Sequence, residues 1–341
     1  LEQTGNVFMQ RSQAGGGSAV LRGFEASRIL MVVDGVRMNN AIYRAGHLQN
    51  IITIDNNILE STEVLFGPSS TIYGSDALGG VIVFNTKQPK LSTKKEPIFD
   101  GSVMARYSSA NHEMTGHFDF NVGYKKVASL TSVTYSQFDD VRQGSNRNPF
   151  YGDFGLRDEY AERFNGIDSM VRSNDNNIQK QSGYSQIDVL EKLLFKPSKN
   201  ISHILNLQYS TSSDIPRYDR LTEKRNGKLK FAEWYYGPQD RAMASYQFNS
   251  VKMRGFFDEM KAGFNYQNIE ESRHQRSFGA DELQSRIEKV DVLGYNIDFR
   301  KFMMDHELII GTDGQYNNVK STASSRDIMS NEQSPLDTRY P

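Results

Sequence analysis

Between residues 98 and 320 the chain repeats short segments in which apolar and polar side chains alternate one by one. In Met114–Tyr124, the side chains of Met114, Phe118, Phe120, Val122 and Tyr124 fall on one face of an extended chain. Thr115, His117, Asp119 and Asn121 fall on the other. Leu205, Leu207 and Tyr209 alternate in the same way with Asn206, Gln208 and Ser210, and Leu293, Tyr295, Ile297 and Phe299 with Gly294, Asn296 and Asp298. Ala242, Ala244, Tyr246 and Phe248 repeat the pattern. A period of two is the signature of a strand with one apolar and one polar face. Such a strand lines either a soluble sheet or a barrel wall with lipid outside and a wet lumen inside.

Loop lengths decide between the two. Nine strands are predicted near 98–109, 114–124, 127–139, 184–195, 200–212, 239–252, 255–270, 285–301 and 305–320. The connections after the even strands are minimal, at Lys125–Lys126, Pro197–Lys199, Met253–Arg254 and Phe302–Met304. Those after strands three, five and seven are long: Asp140–Gly183, Ser213–Pro238 and Glu271–Gln284. Only the first hairpin, Ser109–Glu113, is short on the long side. Short turns at one end and long loops at the other characterise outer-membrane barrels, and a soluble sandwich has no reason to sort them. The Tyr184–Phe195 segment fits less well, since Glu191 shares a face with Val189 and Leu193, which predicts a bulge or a shifted register.

Composition agrees with this fold class, a transmembrane antiparallel β-barrel. Only 37% of residues are hydrophobic and mean hydropathy is −0.60, yet there are 17 Tyr and 20 Phe against one Trp. No run approaches the ~18–20 apolar residues of a membrane helix, and no signal peptide opens the chain. With 40 basic and 41 acidic side chains, the basic footprint of a nucleic-acid binder is missing. Zero cysteines exclude disulfides, thiol catalysis and thiolate metal sites. Nine strands leave open edges that a bilayer does not tolerate, so the expectation is an incomplete barrel, part of a longer protein.

Residues 1–90 differ. Apolar runs (ILMVVDGV, IITI, STEVLF, GVIVFNT) alternate with Gly, Asn and Pro, which predicts a compact mixed α/β or β domain with a helical turn near Ile54–Thr62. KQPKLSTKKEP follows, with residues 91–97 as the linker to the barrel, 98–341. Gly67–Gly80, GPSSTIYGSDALGG, lacks the G-x-x-x-x-G-K-[ST] of a phosphate loop and the G-x-S-x-G of a nucleophile elbow. No ordered catalytic set appears, so an enzyme is not expected.

AVLRGFEASRILMVVDGVRMNN, followed by ILESTEVLFGPSSTIYGSDALGGVIVFNTK, resembles the plug domain of TonB-dependent outer-membrane receptors. The long loop over 140–183 and EWYYGPQ are similar to the haem/haemoprotein and iron-siderophore branch. The resemblance implies a plug inside a barrel of about 22 strands. It further implies uptake of a scarce metal chelate, haem or a ferric siderophore foremost, energised through TonB. The TonB-contacting segment is not in the chain. Implied partners are TonB, a small-molecule chelate or haemoprotein, and outer-membrane lipid, with no intrinsic cofactor beyond the transported chelate. Alternatives are an importer of cobalamin or oligosaccharide, or a non-transporting surface receptor or adhesin, which the plug disfavours. In the family, Arg22, Gly23, Gly67, Pro68, Gly74, Gly79 and Gly80 correspond to plug-packing positions. Phe66 stands where relatives often carry an arginine that pairs with barrel glutamates, which leaves Arg22 to supply that charge contact.

The resemblance places YRAGHLQN at the extracellular apex of the plug. His47 is there the candidate haem-iron ligand, with Arg44, Tyr43, Asn39 and Asn40 beside it and His274, in the loop after strand seven, as a second histidine. In the loop over 140–183, Arg147, Phe150, Tyr151, Phe154 and Tyr160 form an aromatic–arginine mixture suited to binding. Trp234, Tyr235 and Tyr236 are expected in the outer aromatic girdle. His112 and His117, five apart in a strand, fall on opposite faces and do not form a zinc pair. NDNN at Asn174–Asn177 lacks the spacing of a calcium loop.

Overall fold

The computed structural model describes residues 7–10, 13–43, 51–67 and 73–340. Its largest feature is a single antiparallel meander whose strands follow one another in chain order: Ile98–Ser108, Glu113–Gly123, Val127–Phe138, Tyr184–Ser198, Ile201–Ser212, Asp240–Val251, Glu259–Ser277, Glu282–Met303 and His306–Asp327. All nine expected strands are present. Gln333–Pro335 adds a short pairing to the ninth. Burial alternates along the wall. In Glu113–Gly123 every second side chain, from Glu113 to Asn121, is buried against the interior, while Phe118 and Phe120 face out. Leu205, Leu207, Tyr246 and Leu293 also point outward.

Three expectations for the wall need correction. The connection after strand seven is not a long loop: strands seven and eight pair residue for residue up to Gln275↔Gln284, leaving only 278–281 as the turn. Above the membrane both faces of a hairpin are wet, so polar residues pair without alternation and the pattern cannot mark the strand's end. The turn between strands six and seven is correspondingly longer, 252–258. Glu191 needs neither a bulge nor a slip. Register runs unbroken from Val127↔Phe195 to Phe138↔Tyr184, and the outward Glu191 carboxylate accepts the hydroxyls of Ser129 (2.6 Å) and Thr131 (2.5 Å).

The N-terminal domain is a four-stranded sheet in the order Val36–Arg37, Ile29–Val33, Gly80–Thr86, Leu59–Phe66, with Ile29–Val33 parallel to Gly80–Thr86. All five residues of ILMVV are buried, because both faces of this strand are covered. Ile29, Met31 and Val33 pack with Leu21, Ile82 and Phe84, while Leu30 and Val32 pack with Val81 and Ala77. A small sheet of Phe8–Gln10, Ser18–Leu21 and Phe24–Glu25 lies beside it. The helical turn expected at Ile54–Thr62 is instead two 3-10 turns, Ile51–Thr53 and Asn56–Ile58, with Leu59 already in a strand. Asp55 closes the second turn by accepting from the Asn57 amide at 2.8 Å.

Glycines permit the closest approaches. A Cβ at Gly79 would lie 2.3 Å from Phe24 Cβ, and at Gly80 (φ 145°) it would lie 2.6 Å from the Leu65 carbonyl oxygen. Neither position has room for a side chain.

Candidate functional site

The N-terminal domain sits against the concave side of the wall, and a polar interface holds it there. Its centre is Asp34, at the left-handed turn (φ 49°) between Ile29–Val33 and Val36–Arg37. Its carboxylate accepts the Thr86 amide (3.0 Å) and hydroxyl (2.8 Å) from its own domain. From the wall it accepts Asn206 Nδ2 (3.0 Å) and Gln208 Nε2 (3.3 Å), and pairs with Lys192 Nζ at 3.2 Å. Gln247 donates to the Asp34 carbonyl. One turn thus fastens to strands four, five and six. Lys192 is 1% exposed, so its ammonium depends on Asp34 and on the Thr86 carbonyl (3.3 Å) for compensation.

A second group lies on strands two and three. Thr134 donates to Asp55 at 2.5 Å. His117 spans from Thr134 Oγ1 (2.7 Å) to Asp119 Oδ2 (3.1 Å), and Lys87 caps Asp119 at 2.7 Å. On strand nine, Arg37 bridges Asp76 of its own domain (3.2 Å) and Asp313 of the wall (3.0 Å), while Gln267 of strand seven donates to the Arg37 carbonyl at 3.0 Å. Among the described residues, the buried apolar clusters that cross the interface are two small ones, Ile42 with Ile269, Val290 and Val292, and Ile58 with Leu130 and Leu190. Strands two through nine all touch the inner domain, so the wall curves around it. A cavity of about 30 Å³ lies between them, lined in part by Asp55, Asp188 and Arg241.

Among the described residues, no ion pair joins Arg22 to the wall. Its guanidinium stacks over Phe66 at 5.0 Å. Phe66, where the resemblance expects an arginine, is the ring that Arg22 covers. Gly23 and Gly67 have positive φ, Gly74 lies beside the Arg37 guanidinium, and Pro68 is outside the described residues.

Of the apex residues, His47 and Arg44 are outside the described residues. Asn39 faces inward: its side chain donates to Ile29 O (3.0 Å) and accepts from the Met31 amide (3.2 Å), bracing the strand rather than facing a ligand. Asn40 accepts from the Ile42 amide at 3.1 Å. Tyr43 packs half-buried between the domain's core and the Ile42 cluster. Strand nine grips this segment through Gln315 to Asn39 O (3.0 Å) and Asn317 to the Ala41 amide (3.2 Å).

The long connections carry structure of their own. Within 140–183, Glu159–Phe164 pairs with Ile167–Arg172, which places Tyr160 in a strand opposite Val171. Arg147 donates to the Phe154 carbonyl. The aromatic tip is bare, with Phe150 88%, Tyr151 56% and Phe154 80% exposed. His274 is not in a loop but in strand seven, half-buried, stacked on Tyr235 at 4.7 Å. Its nitrogens contact Ser285 (2.8 Å) and Ser272 (3.0 Å). Burial pushes its pKa down, against the opposing charge of Asp214. Trp234 is not a girdle residue. Its strand, Phe231–Tyr236, pairs with strand seven above the wall, and Trp234 is buried under the Arg217 guanidinium (4.9 Å).

Arg276, on strand seven, ties these connections together. It is 2% exposed and binds Asp168 (2.7 Å) from the first long connection and Glu233 (2.7 Å) from the second. Asp168 also accepts the Gly279 amide (2.7 Å) and Arg163 (3.0 Å), and Arg163 reaches Asp281. Ala161, Leu229 and Ala232 close an apolar cluster beside this group.

A polar-fastened inner domain within an antiparallel meander that carries two long connections at one end has the plug-and-wall arrangement of the class of TonB-dependent outer-membrane receptors. Residues 1–81 match the TonB-dependent Receptor Plug Domain family. Among individual proteins, the chain is 32% identical over 209 residues to the vitamin B12 transporter BtuB of Vibrio vulnificus (strain CMCP6), covering 59% of this chain and 32% of that one. In fold it is similar to the copper transporter OprC (TM-score 0.72, 16% identity, 98% of this chain and 46% of that one). It is also similar to the FrpB iron transporter from Neisseria meningitidis (TM-score 0.67, 14% identity, 92% and 45%). The chain therefore spans about a third of the curated relative and just under half of each structure. The class comprises receptors of the bacterial outer membrane rather than enzymes, and the protein belongs to that membrane.

Asp34 and Lys192 were not anticipated. An aspartate before glycine reads as an ordinary turn residue, and Lys192 reads as one polar position of a strand. The available signal was the lumenal register: a lysine facing a plugged lumen needs a carboxylate from the plug.

Proposed function

We propose that this chain is the plug and first part of the barrel of an importer that carries a metal chelate across the outer membrane, energised through TonB, with haem or a ferric siderophore as the foremost ligand. The observation that carries this reading is the chemistry of the plug–wall interface. Its buried contacts are mainly hydrogen bonds and ion pairs, which water can replace when the plug shifts, and little apolar surface would be bared. A permanent seal would favour the opposite composition. The exposed Phe150–Phe154 tip supplies a ligand-facing surface, and fold likeness to an iron transporter and a copper transporter supports a metal-bearing solute.

A second reading, cobalamin, is favoured by the 32% identity to a vitamin B12 transporter. The test is uptake by the full-length receptor in cells lacking their own, with haem, a ferric siderophore and cyanocobalamin offered separately, with and without TonB. For the haem reading, His47→Ala is expected to lower haem uptake and shift the Soret band of bound haem without impairing barrel assembly. Unchanged uptake and spectrum remove His47 from the site, and uptake of cyanocobalamin alone selects the second reading.

A further inference from the structure

Arg157 lies where the first long connection folds back on itself, and the polar plug–wall interface makes no use of it. It is 2% exposed, its Nε donates to Glu159 O at 3.0 Å, and both terminal nitrogens are buried without a hydrogen-bond partner. A guanidinium stays charged at neutral pH even where burial lowers its pKa to about 10. An uncompensated buried cation is costly, so a partner for those nitrogens is expected. Asp140, the carboxylate whose charge reaches it, already accepts the Ser182 amide (2.8 Å) and pairs with Lys180 (3.6 Å).

Three neighbours in the same fold are also unfilled: Gln143 Nε2, Gln179 Oε1 and Gln181 Oε1. The backbone draws them together. Arg157 and Gln143 donate their amides to the adjacent carbonyls of Asn176 (2.8 Å) and Asn177 (2.9 Å), and a Cβ on Gly155 would lie 2.8 Å from Gln143 Oε1. The orientations of two amides are fixed, because Gln179 Nε2 donates to Gly155 O and Gln181 Nε2 to Ala161 O. Together these four side chains hold one cation, one spare neutral donor and two spare acceptors.

We propose that Arg157, Gln143, Gln179 and Gln181 enclose a binding site for an oxyanion that still carries a proton, such as a phosphate group. The forked guanidinium takes two oxygens side by side, Gln143 donates to a third, and the P–O–H donates to a glutamine carbonyl. Water alone would fill the acceptors but leave the charge facing only Asp140, which is already engaged. A fully deprotonated oxyanion would compensate the charge but present lone pairs to the two carbonyls.

The test uses the full-length receptor in detergent at pH 6 and constant ionic strength, reading the unfolding midpoint against inorganic phosphate, sulfate and glycerol 3-phosphate. Phosphate is expected to raise the midpoint saturably, with an apparent affinity at least about tenfold above sulfate, the worth of one hydrogen bond to a charged group. Arg157→Met is expected to abolish the rise. Arg157→Lys, which keeps the charge but lacks the fork, serves if that variant fails to assemble, and it is expected to lose most of the rise. A matching effect of glycerol 3-phosphate assigns the site to the phosphate of a larger solute, and its failure assigns it to the free ion. No rise with phosphate, an equal rise with sulfate, or a rise unchanged in the Arg157 variants overturns the proposal.

Discussion

Asp34 and Lys192 illustrate how one residue can fasten two domains. Replacing Asp34 by Asn leaves the Lys192 ammonium buried without an anion, and removal of one partner of such a pair costs about 3–5 kcal/mol. Urea unfolding of the full-length receptor in detergent is expected to show that loss, and Lys192→Met in the Asp34→Asn background is expected to recover most of it. A loss confined to the single variant is the signature of the pair. Asp168 gives the loops a pH dependence. Burial pushes its carboxyl up, but the Arg276 hydrogen bond, the Gly279 amide and Arg163 together outweigh this and hold it below the ordinary carboxylate range. Because the folded value lies below the unfolded one, the stabilisation is complete above about pH 4 and fades as pH falls through the folded value. Amide protection over 159–172 should therefore hold at pH 5 and fall near pH 3. In Asp168→Asn it should already be low at pH 6 and change little below that.

At the scale of elements, the wall strands make a sharper prediction than the plug. Leu205 and Leu207 face lipid, where arginine near the midplane costs about 2–4 kcal/mol. Either Leu→Arg change is expected to reduce the fraction of barrel that resists cold detergent, read as heat-modifiable mobility on a gel. The same alternation made the strands legible in the sequence, since lipid on one side and a polar lumen on the other impose period two on any strand that crosses. That rule stops at the membrane surface. Strand seven continues to Ser277 through GluGluSerArgHis, where both faces are wet and no alternation is demanded, so its upper half read as loop. His274 and Trp234 were misplaced for the same reason. In the plug, ILMVV announced a strand covered on both faces, but the short 3-10 turns around Asp55 depend on a single cap and left no periodic trace. The Arg276 group joins residues more than a hundred positions apart, and no local pattern in the sequence encodes such a meeting.

For the molecule as a whole, the wall described here ends in two edges. Ile98–Ser108 has a partner on one side only, and His306–Asp327 has beyond it only the short Gln333–Pro335 pairing. Unpaired strand edges recruit other chains, so these 341 residues expressed alone are expected to aggregate. A monomeric, cooperatively unfolding product measured by light scattering and urea titration would contradict the open-edged wall. The clamp formed by Arg276, Asp168, Glu233, Arg163 and Asp281 bears on how this surface can vary among descendants. Each of these charges answers to at least one on another stretch of chain, so a single substitution strands a partner and is tolerated only with a second, compensating one. The tip at Phe150–Phe154 has no such obligations. Under pressure from antibodies or phage, the tip can drift quickly while the clamp beneath it changes only in matched pairs.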